Sequence, residues 1–227
     1  MIELVVLDIA GTTVCDEDAV ATCLGAALSG AGVDVSPAAI NAVMGLPKPE
    51  AIRRLIAARP GAPDCPPDVD AVHGDFVARM IEHYRTAPQI APVDGATAVF
   101  RRLRAAGLRV ALNTGFNRVI TAALLDRLNW RDGDAIDTSI CSDEVSRGRP
   151  YPDMIHALMQ RCGVRAAERV AKVGDTPADL GEGTAAGCRL VIGVTSGTHT
   201  AIQLAPHAHT HLVESVRDVP ALCIPGG

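Results

Sequence analysis

The chain has 227 residues, of which 48% are hydrophobic and 21% charged, and its formal charge is −5. Such a chain is too apolar for disorder, long enough for a large core, and without the basic excess of a nucleic-acid binder. No apolar run approaches the ~18–20 residues of a membrane span, and Asp8 cuts the N-terminal run too short for a secretory leader.

In chain order, Leu4-Val5-Val6-Leu7 reads as a buried parallel strand ending in the polar turn Asp8-Ile-Ala-Gly-Thr-Thr13. Residues 16–88 change texture, with helical patterns over 18–28, 37–43, 49–58 and 67–84. Gly45-Leu-Pro47 and Pro60-Gly-Ala-Pro63 punctuate the joints. From residue 92 a new alternation begins: helix 95–106 closed by Gly107, strand 108–112, helix 118–128 and a short strand 138–141. Helix 152–161, strand 170–173, helix 177–186 and strand 189–194 follow. Strands alternating with helices predict an α/β fold with a parallel sheet. The core is expected over residues 1–14 and 92–227, with an all-helical insertion, 15–91.

Ligands of such sheets bind beyond the C-terminal strand ends. Asp8, Thr114 and Asp175 each follow a predicted strand, so topology alone gathers them at one edge. Two carboxylates there repel unless a cation lies between them. Hard oxygen ligands favour Mg²⁺, which commonly works with a phosphate-bearing substrate. A strand-end hydroxyl and a loop arginine can hold the phosphate oxygens. The edge therefore reads as a site for phosphoryl chemistry. Seven cysteines, odd in number and without a CxxC, suit reduced thiols in a cytoplasm. His207, His209 and His211 read as a polar loop entering a strand-like His211-Leu-Val213. Cys15 reads as a small buried residue, and Asp16-Glu-Asp18 as a solvated acidic turn.

Four segments together resemble the haloacid dehalogenase (HAD) superfamily of phosphotransferases. They are Asp8-Ile-Ala-Gly-Thr12, Thr114 after its strand, Arg149 in Gly148-Arg-Pro-Tyr-Pro152, and Gly174-Asp-Thr176 with Asp179. The resemblance implies a Rossmann-like core with a helical cap. It also implies Asp8 as the nucleophile forming an aspartyl-phosphate, with Mg²⁺ held by Asp8, the Ala10 carbonyl and Asp175. Asp179 would lie behind these or reach the metal through water. Thr114 would hydrogen-bond the phosphoryl group, and Arg149 would offset charge between it and Asp8. Arg147, two residues away, has the same chemistry.

Ala10 departs from most HAD phosphatases, which place there a second Asp that protonates the leaving oxygen. The Asp-x-Ala-Gly-Thr-Thr form is similar to the phosphonoacetaldehyde hydrolase (phosphonatase) subgroup. There a cap lysine in a Met-Gly-Leu-x-Lys segment forms a Schiff base with an aldehyde phosphonate. A carbon leaving group has no ester oxygen to protonate, so an Ala is tolerable. This chain has Met44-Gly-Leu-Pro-Lys48, and Lys48 is one of only two lysines beside 19 arginines. Arg binds phosphate but cannot form a Schiff base. Lys172, the other lysine, reads as scaffold before the Asp175 loop. The subgroup's His three residues after its lysine is here Ala51, and its Tyr in Thr-Gly-Tyr is here Phe116.

Three readings stay open. The first is a Mg²⁺-dependent hydrolase of a small aldehyde phosphonate, with Asp8, Lys48, Thr114 and Arg149 in the chemistry and Thr12, Met44, Gly45, Gly115 and Phe116 against the substrate. The second is a phosphatase of a small phosphate monoester, with Lys48 as a charge contact. The third is a HAD scaffold, disabled by Ala10, that binds a phosphorylated metabolite or a protein. Resemblance to phosphonatase also implies a homodimer.

Overall fold

A computed structural model of the protein describes residues 1–58 and 66–224. The Pro60–Pro63 joint and Cys65 lie outside the described residues. Strand β1 (Leu4–Asp8) comes first, followed by the helices α1 (Ala19–Gly30), α2 (Pro37–Ala42), α3 (Lys48–Ala57) and α4 (Val69–Thr86). Then come α5 (Ala96–Ala105), β2 (Arg109–Thr114), α6 (Arg118–Leu128), β3 (Thr138–Cys141) and α7 (Asp153–Cys162). The chain continues through β4 (Val170–Gly174), α8 (Pro177–Ala186), β5 (Leu190–Val194), α9 (Ala201–Leu204), β6 (His211–Val213) and α10 (Val219–Cys223). Helices α9 and α10 span four and five residues, too short for a helical period to show in sequence.

All six strands pair in parallel in the order β3-β2-β1-β4-β5-β6. This is a Rossmann-like α/β sheet whose order reverses between β1 and β4, the point where a crevice opens beyond the strand ends. Every residue of β1 and β4 is buried, as expected for central strands covered on both faces. Alternation divides β1 between two layers. Val5 and Leu7 join Phe100, Leu103 and Leu124 of α5 and α6. Leu4 and Val6 join Met154, Ile155 and Leu158 of α7 on the opposite face.

The helices between β1 and α5 are not a detached appendage. Helix α4 packs on α1 and α3 and also on α6 beside the sheet. Its Phe76 and Tyr84 rings lie 6.4 and 6.3 Å from the ring of Phe116, just past β2. The chain leaves and returns through a paired crossing: Cys15 N donates to Ala91 O at 3.1 Å, and Val93 N to Thr13 O at 2.9 Å. That crossing lies at the surface, so Cys15 is exposed where a buried residue was expected. Conversely, Asp16 is half-buried where a solvated turn was expected, because its Oδ1 accepts from Val20 N at 3.1 Å and draws it against α1. No helix among the described residues is long and apolar enough to cross a membrane.

Candidate active site

The end of β1 delivers Asp8 to the reversal of the sheet, and the turn after β4 delivers Asp175 beside it. Thr176 caps α8, its hydroxyl accepting from Asp179 N while the Asp179 carboxylate accepts from Thr176 N. The same box fixes Asp179 beneath the strand ends. Asp8, Asp175 and Asp179 each place a carboxylate oxygen within 4.8 Å of the others.

Below them lies a buried charge network. The Nη2 of Arg149 meets Asp8 Oδ1 at 2.8 Å, its Nη1 meets Asp179 Oδ1 at 3.0 Å, and its Nε meets Glu182 Oε2 at 3.2 Å. Lys172 Nζ pairs with Asp179 Oδ1 at 2.8 Å and Glu182 Oε2 at 3.4 Å, and donates to Asn113 Oδ1 at 2.7 Å. The Asn113 amide donates to both Glu182 oxygens. Arg147, by contrast, is exposed, pairs with Asp153 at 3.0 Å and lies over the Tyr151 ring. Of the two arginines, only Arg149 reaches Asp8.

The four carboxylates Asp8, Asp175, Asp179 and Glu182 face two cations, Arg149 and Lys172, so two negative charges remain uncompensated. The electrostatics register that excess. Burial raises the Asp8 pKa despite the Arg149 charge. Asp175 is raised by burial and then by the charges of Asp8 and Asp179. Burial also opposes ionisation of Asp179, but Arg149 and Lys172 outweigh it and hold that carboxyl below the usual range. One divalent cation between Asp8 and Asp175 would restore the balance, and the all-oxygen donor set fits a hard ion. Asp175 is held for such a role by Thr12 Oγ1 at 2.8 Å and by Thr198 N at 2.6 Å. Both Asp179 oxygens are already engaged, Oδ1 by the two cations and Oδ2 by Thr176 Oγ1 at 2.5 Å.

Above the carboxylates is a small cavity of about 20 Å³, room for a water-sized group. Asp8, Ala10, Thr114 and Arg149 line it from the sheet, with Gly115 and Phe116 beside them. Met44, Gly45 and Lys48 line it from the residue 44–48 segment. Thr12 is not on its wall; its hydroxyl is spent on Asp175. Two glycines allow this close approach. Gly45 has φ +82°, and a Cβ there would overlap Thr176 Oγ1. A Cβ on Gly115 would lie 2.6 Å from Leu46 O.

Lys48 is the first residue of α3 and is 3% exposed. Its Nζ lies 5.5 Å from the centroid of Phe116. Among the described residues it enters no ion pair within 4.0 Å; those of the site go to Arg149 and Lys172. Burial lowers its pKa to about 8, against the opposing pull of Asp16 and Asp8. Neutral amine is therefore accessible in this cavity near physiological pH.

Several contributors were not legible in sequence. Glu182 lies three residues after Asp179, one helical turn along α8, and that spacing was its available signal. Asn113 precedes Thr114 on β2. Thr198 follows β5, and a strand-end rule extended to that strand points to it. The histidines at 207, 209 and 211 form no acidic or cysteine cluster among the described residues.

Comparison with known proteins places the chain in a family. The sequence profile of the haloacid dehalogenase-like hydrolases matches residues 2–187. A phosphonoacetaldehyde hydrolase of Nitratidesulfovibrio vulgaris is 34% identical over 86% of this chain and 72% of its own length. Another, of Syntrophobacter fumaroxidans, is 32% identical over 82% of this chain and 70% of its own. The crystal structure of a phosphonoacetaldehyde hydrolase-like protein from Oleispira antarctica has the same fold, with a TM-score of 0.83 at 22% identity. The match covers 98% of this chain and 91% of that one. The chain belongs to the haloacid dehalogenase-like hydrolase family, as an enzyme of the phosphonatase-like kind.

Proposed function

We propose that this enzyme hydrolyses the C–P bond of a small aldehyde phosphonate, such as phosphonoacetaldehyde, using Lys48 as amine and Asp8 as nucleophile. The carrying observation is the placement of Lys48: buried, in no ion pair among the described residues, and in one small cavity with Asp8 and Ala10. Burial lowers its pKa to about 8, which raises the share of neutral amine available to an aldehyde.

The neutral Nζ adds to the aldehyde carbon, and loss of water leaves an iminium one carbon from the phosphonate-bearing carbon. Asp8 then attacks phosphorus. The C–P electron pair moves into the iminium and leaves an enamine, so no leaving oxygen awaits a proton and Ala10 need supply none. A proton from water then adds to the enamine carbon and regenerates the iminium, and water cleaves the Asp8 acyl-phosphate and, separately, that iminium. Thr114 and Arg149 orient the phosphoryl oxygens, with Arg149 fixed by Asp179, Glu182 and Asn113. Met44, Gly45, Gly115 and Phe116 shape the remaining wall. Mg²⁺ is the cation we assign to Asp8, Asp175 and the Ala10 carbonyl, where it would supply charge neutralisation on the phosphoryl oxygens. Residues 15–91 act as the cap that closes the cavity. We place the enzyme in the cytoplasm, consistent with six free cysteines among the described residues.

The test is borohydride reduction with phosphonoacetaldehyde present, followed by mass mapping. A stable adduct on Lys48 is expected. No adduct, with Lys48→Arg retaining turnover, overturns the proposal in favour of phosphate-ester hydrolysis.

A further inference from the structure

Schiff-base formation moves protons as well as atoms. The amine must lose the proton that makes it an ammonium, and the carbonyl oxygen must leave as water. The cavity around Lys48 holds one other carboxylate, Asp8, which is paired with Arg149 and faces the phosphorus in our reading. A proton acceptor has to stand elsewhere.

Asp16 stands at the rim. Its Oδ1 accepts from Val20 N, and the Val20 side chain lines the Lys48 cavity. Asp16 itself lines a second, wider groove between α1, α2 and residues 198–207. The groove and the cavity share Met44 and Thr198, so the groove that Asp16 lines adjoins the cavity of Lys48. Among the hydrogen bonds of the described residues, its Oδ2 accepts none. Asp16 is also the carboxylate whose charge acts most strongly on the Lys48 ammonium, ahead of Asp8. Burial raises Asp16 to about 6, with Lys48 pulling the other way.

We propose that Asp16 is the proton-relay residue of Lys48, exchanging its proton through the water of the groove. This rests on the Schiff-base reading above. Asp16 takes one proton from the Lys48 ammonium through intervening water, and the free Nζ pair bonds to the carbonyl carbon as the C=O π pair moves to oxygen. The carbinolamine nitrogen passes a proton to that oxygen. Asp16 returns its own proton to the same oxygen, the C–O bond breaks and water departs. The iminium keeps one hydrogen and the positive charge that the ammonium brought, so nothing else is consumed. Other groups act on the pair from neighbouring elements: Asp8 and Arg149 from the sheet edge, Asp18 from the same turn, and Cys23, His73 and Tyr84 from α1 and α4. Among the described residues, Asp16 combines the strongest action on Lys48 with a place in the groove wall.

The experiment compares wild type, Asp16→Asn, Asp16→Glu and Asp18→Asn in two readouts. The first is reductive methylation of Lys48 by formaldehyde and cyanoborohydride in resting enzyme, mapped by mass across pH 6–10. Wild type should reach half-maximal reaction near pH 8. Asp16→Asn removes a negative charge beside the ammonium, so its midpoint should fall by about half a unit or more. The second is the pH profile of kcat on the aldehyde phosphonate. Wild type should lose rate below about 6, where Asp16 binds its proton. Asp16→Asn should lose roughly 10²-fold in kcat together with that acid limb. Asp16→Glu should regain the limb, and Asp18→Asn should match wild type. A more reactive lysine in a slower enzyme is a combination that misfolding does not produce.

An acid limb unchanged in Asp16→Asn overturns the relay, even with a substrate adduct on Lys48. Absence of any substrate adduct in wild type overturns the Schiff-base reading and the relay with it, while the methylation midpoint still reports whether Asp16 and Lys48 interact. Should Asp16→Asn not fold, a wild-type profile flat between pH 5 and 7 overturns the relay.

Discussion

Lys172 and Lys48 are the two lysines of the chain, and both are buried, at 0% and 3% exposure. Lys172 projects from central strand β4 into Asp179, Glu182 and Asn113, and every part of its ammonium meets an oxygen. Lys48 opens helix α3 against an aromatic ring, with no carboxylate within ion-pairing distance among the described residues. A positive helix N-terminus adds to what disfavours its charge. Side chains of one type, both buried, thus stand in opposite surroundings. One lies among carboxylates; the other has its pKa lowered by burial to about 8. Burial lowers a lysine's pKa, and a paired carboxylate opposes that shift.

That contrast can be broken by substitution. The largest effect expected is on turnover in Lys48→Met. C–P cleavage should fall by on the order of 10⁴-fold, as when a covalent group is removed, with urea unfolding showing a chain no less stable than wild type. A folded, active Lys48→Met enzyme removes the amine from the mechanism. Lys172→Met should do the reverse in kind. It leaves Asp179 and Glu182 short of a buried partner and should cost about 3–5 kcal/mol in urea-unfolding free energy. A stability loss under ~1 kcal/mol would show that the network does not depend on that cation.

The pH dependence of stability sharpens the same contrast. Lys48 releases its proton at about 8 when folded, and the unfolded chain does so near the ordinary 10.5. Between those values the unfolded state binds more protons, so the Lys48 contribution to stability rises with pH, by up to about 3 kcal/mol. The difference in unfolding free energy between wild type and Lys48→Met should narrow across that window. A constant difference contradicts the lowered pKa. Divalent-cation removal tests the acidic side of the site. Chelation should abolish turnover, and Mg²⁺ at 100 times its dissociation constant should restore it while adding about 2.7 kcal/mol of stability. Smallest is Gly115→Ala, whose Cβ presses on Leu46 O. It should raise KM roughly tenfold, about 1.4 kcal/mol of closure, with little change in Tm.

Parallel strands and the helices between them were legible because buried runs and helical periods are local patterns. Strand ends then placed Asp8, Thr114 and Asp175 at one edge, since a parallel sheet puts all such ends on the same side. Asp16 was misread as solvated because three adjacent acids resemble a surface turn. Its burial comes from the bond to Val20 and from α1 packing over it. Glu182 was passed over because a lone glutamate in a helix carries no mark of the arginine and lysine it will meet.

The sequence by itself determined the α/β alternation, the Asp8-x-Ala10 pattern and the presence of a lysine at position 48. The resemblance set Lys48 apart from Lys172, which reads as scaffold, but nothing local showed which partners each ammonium would meet. Lys172 meets Asp179 and Glu182 because α8 folds back along β4, and it meets Asn113, 59 positions away, because β2 and β4 flank β1 in one sheet. The electrostatics of a buried group depend on everything folded around it, so only the tertiary structure assigned Lys48 and Lys172 their different surroundings.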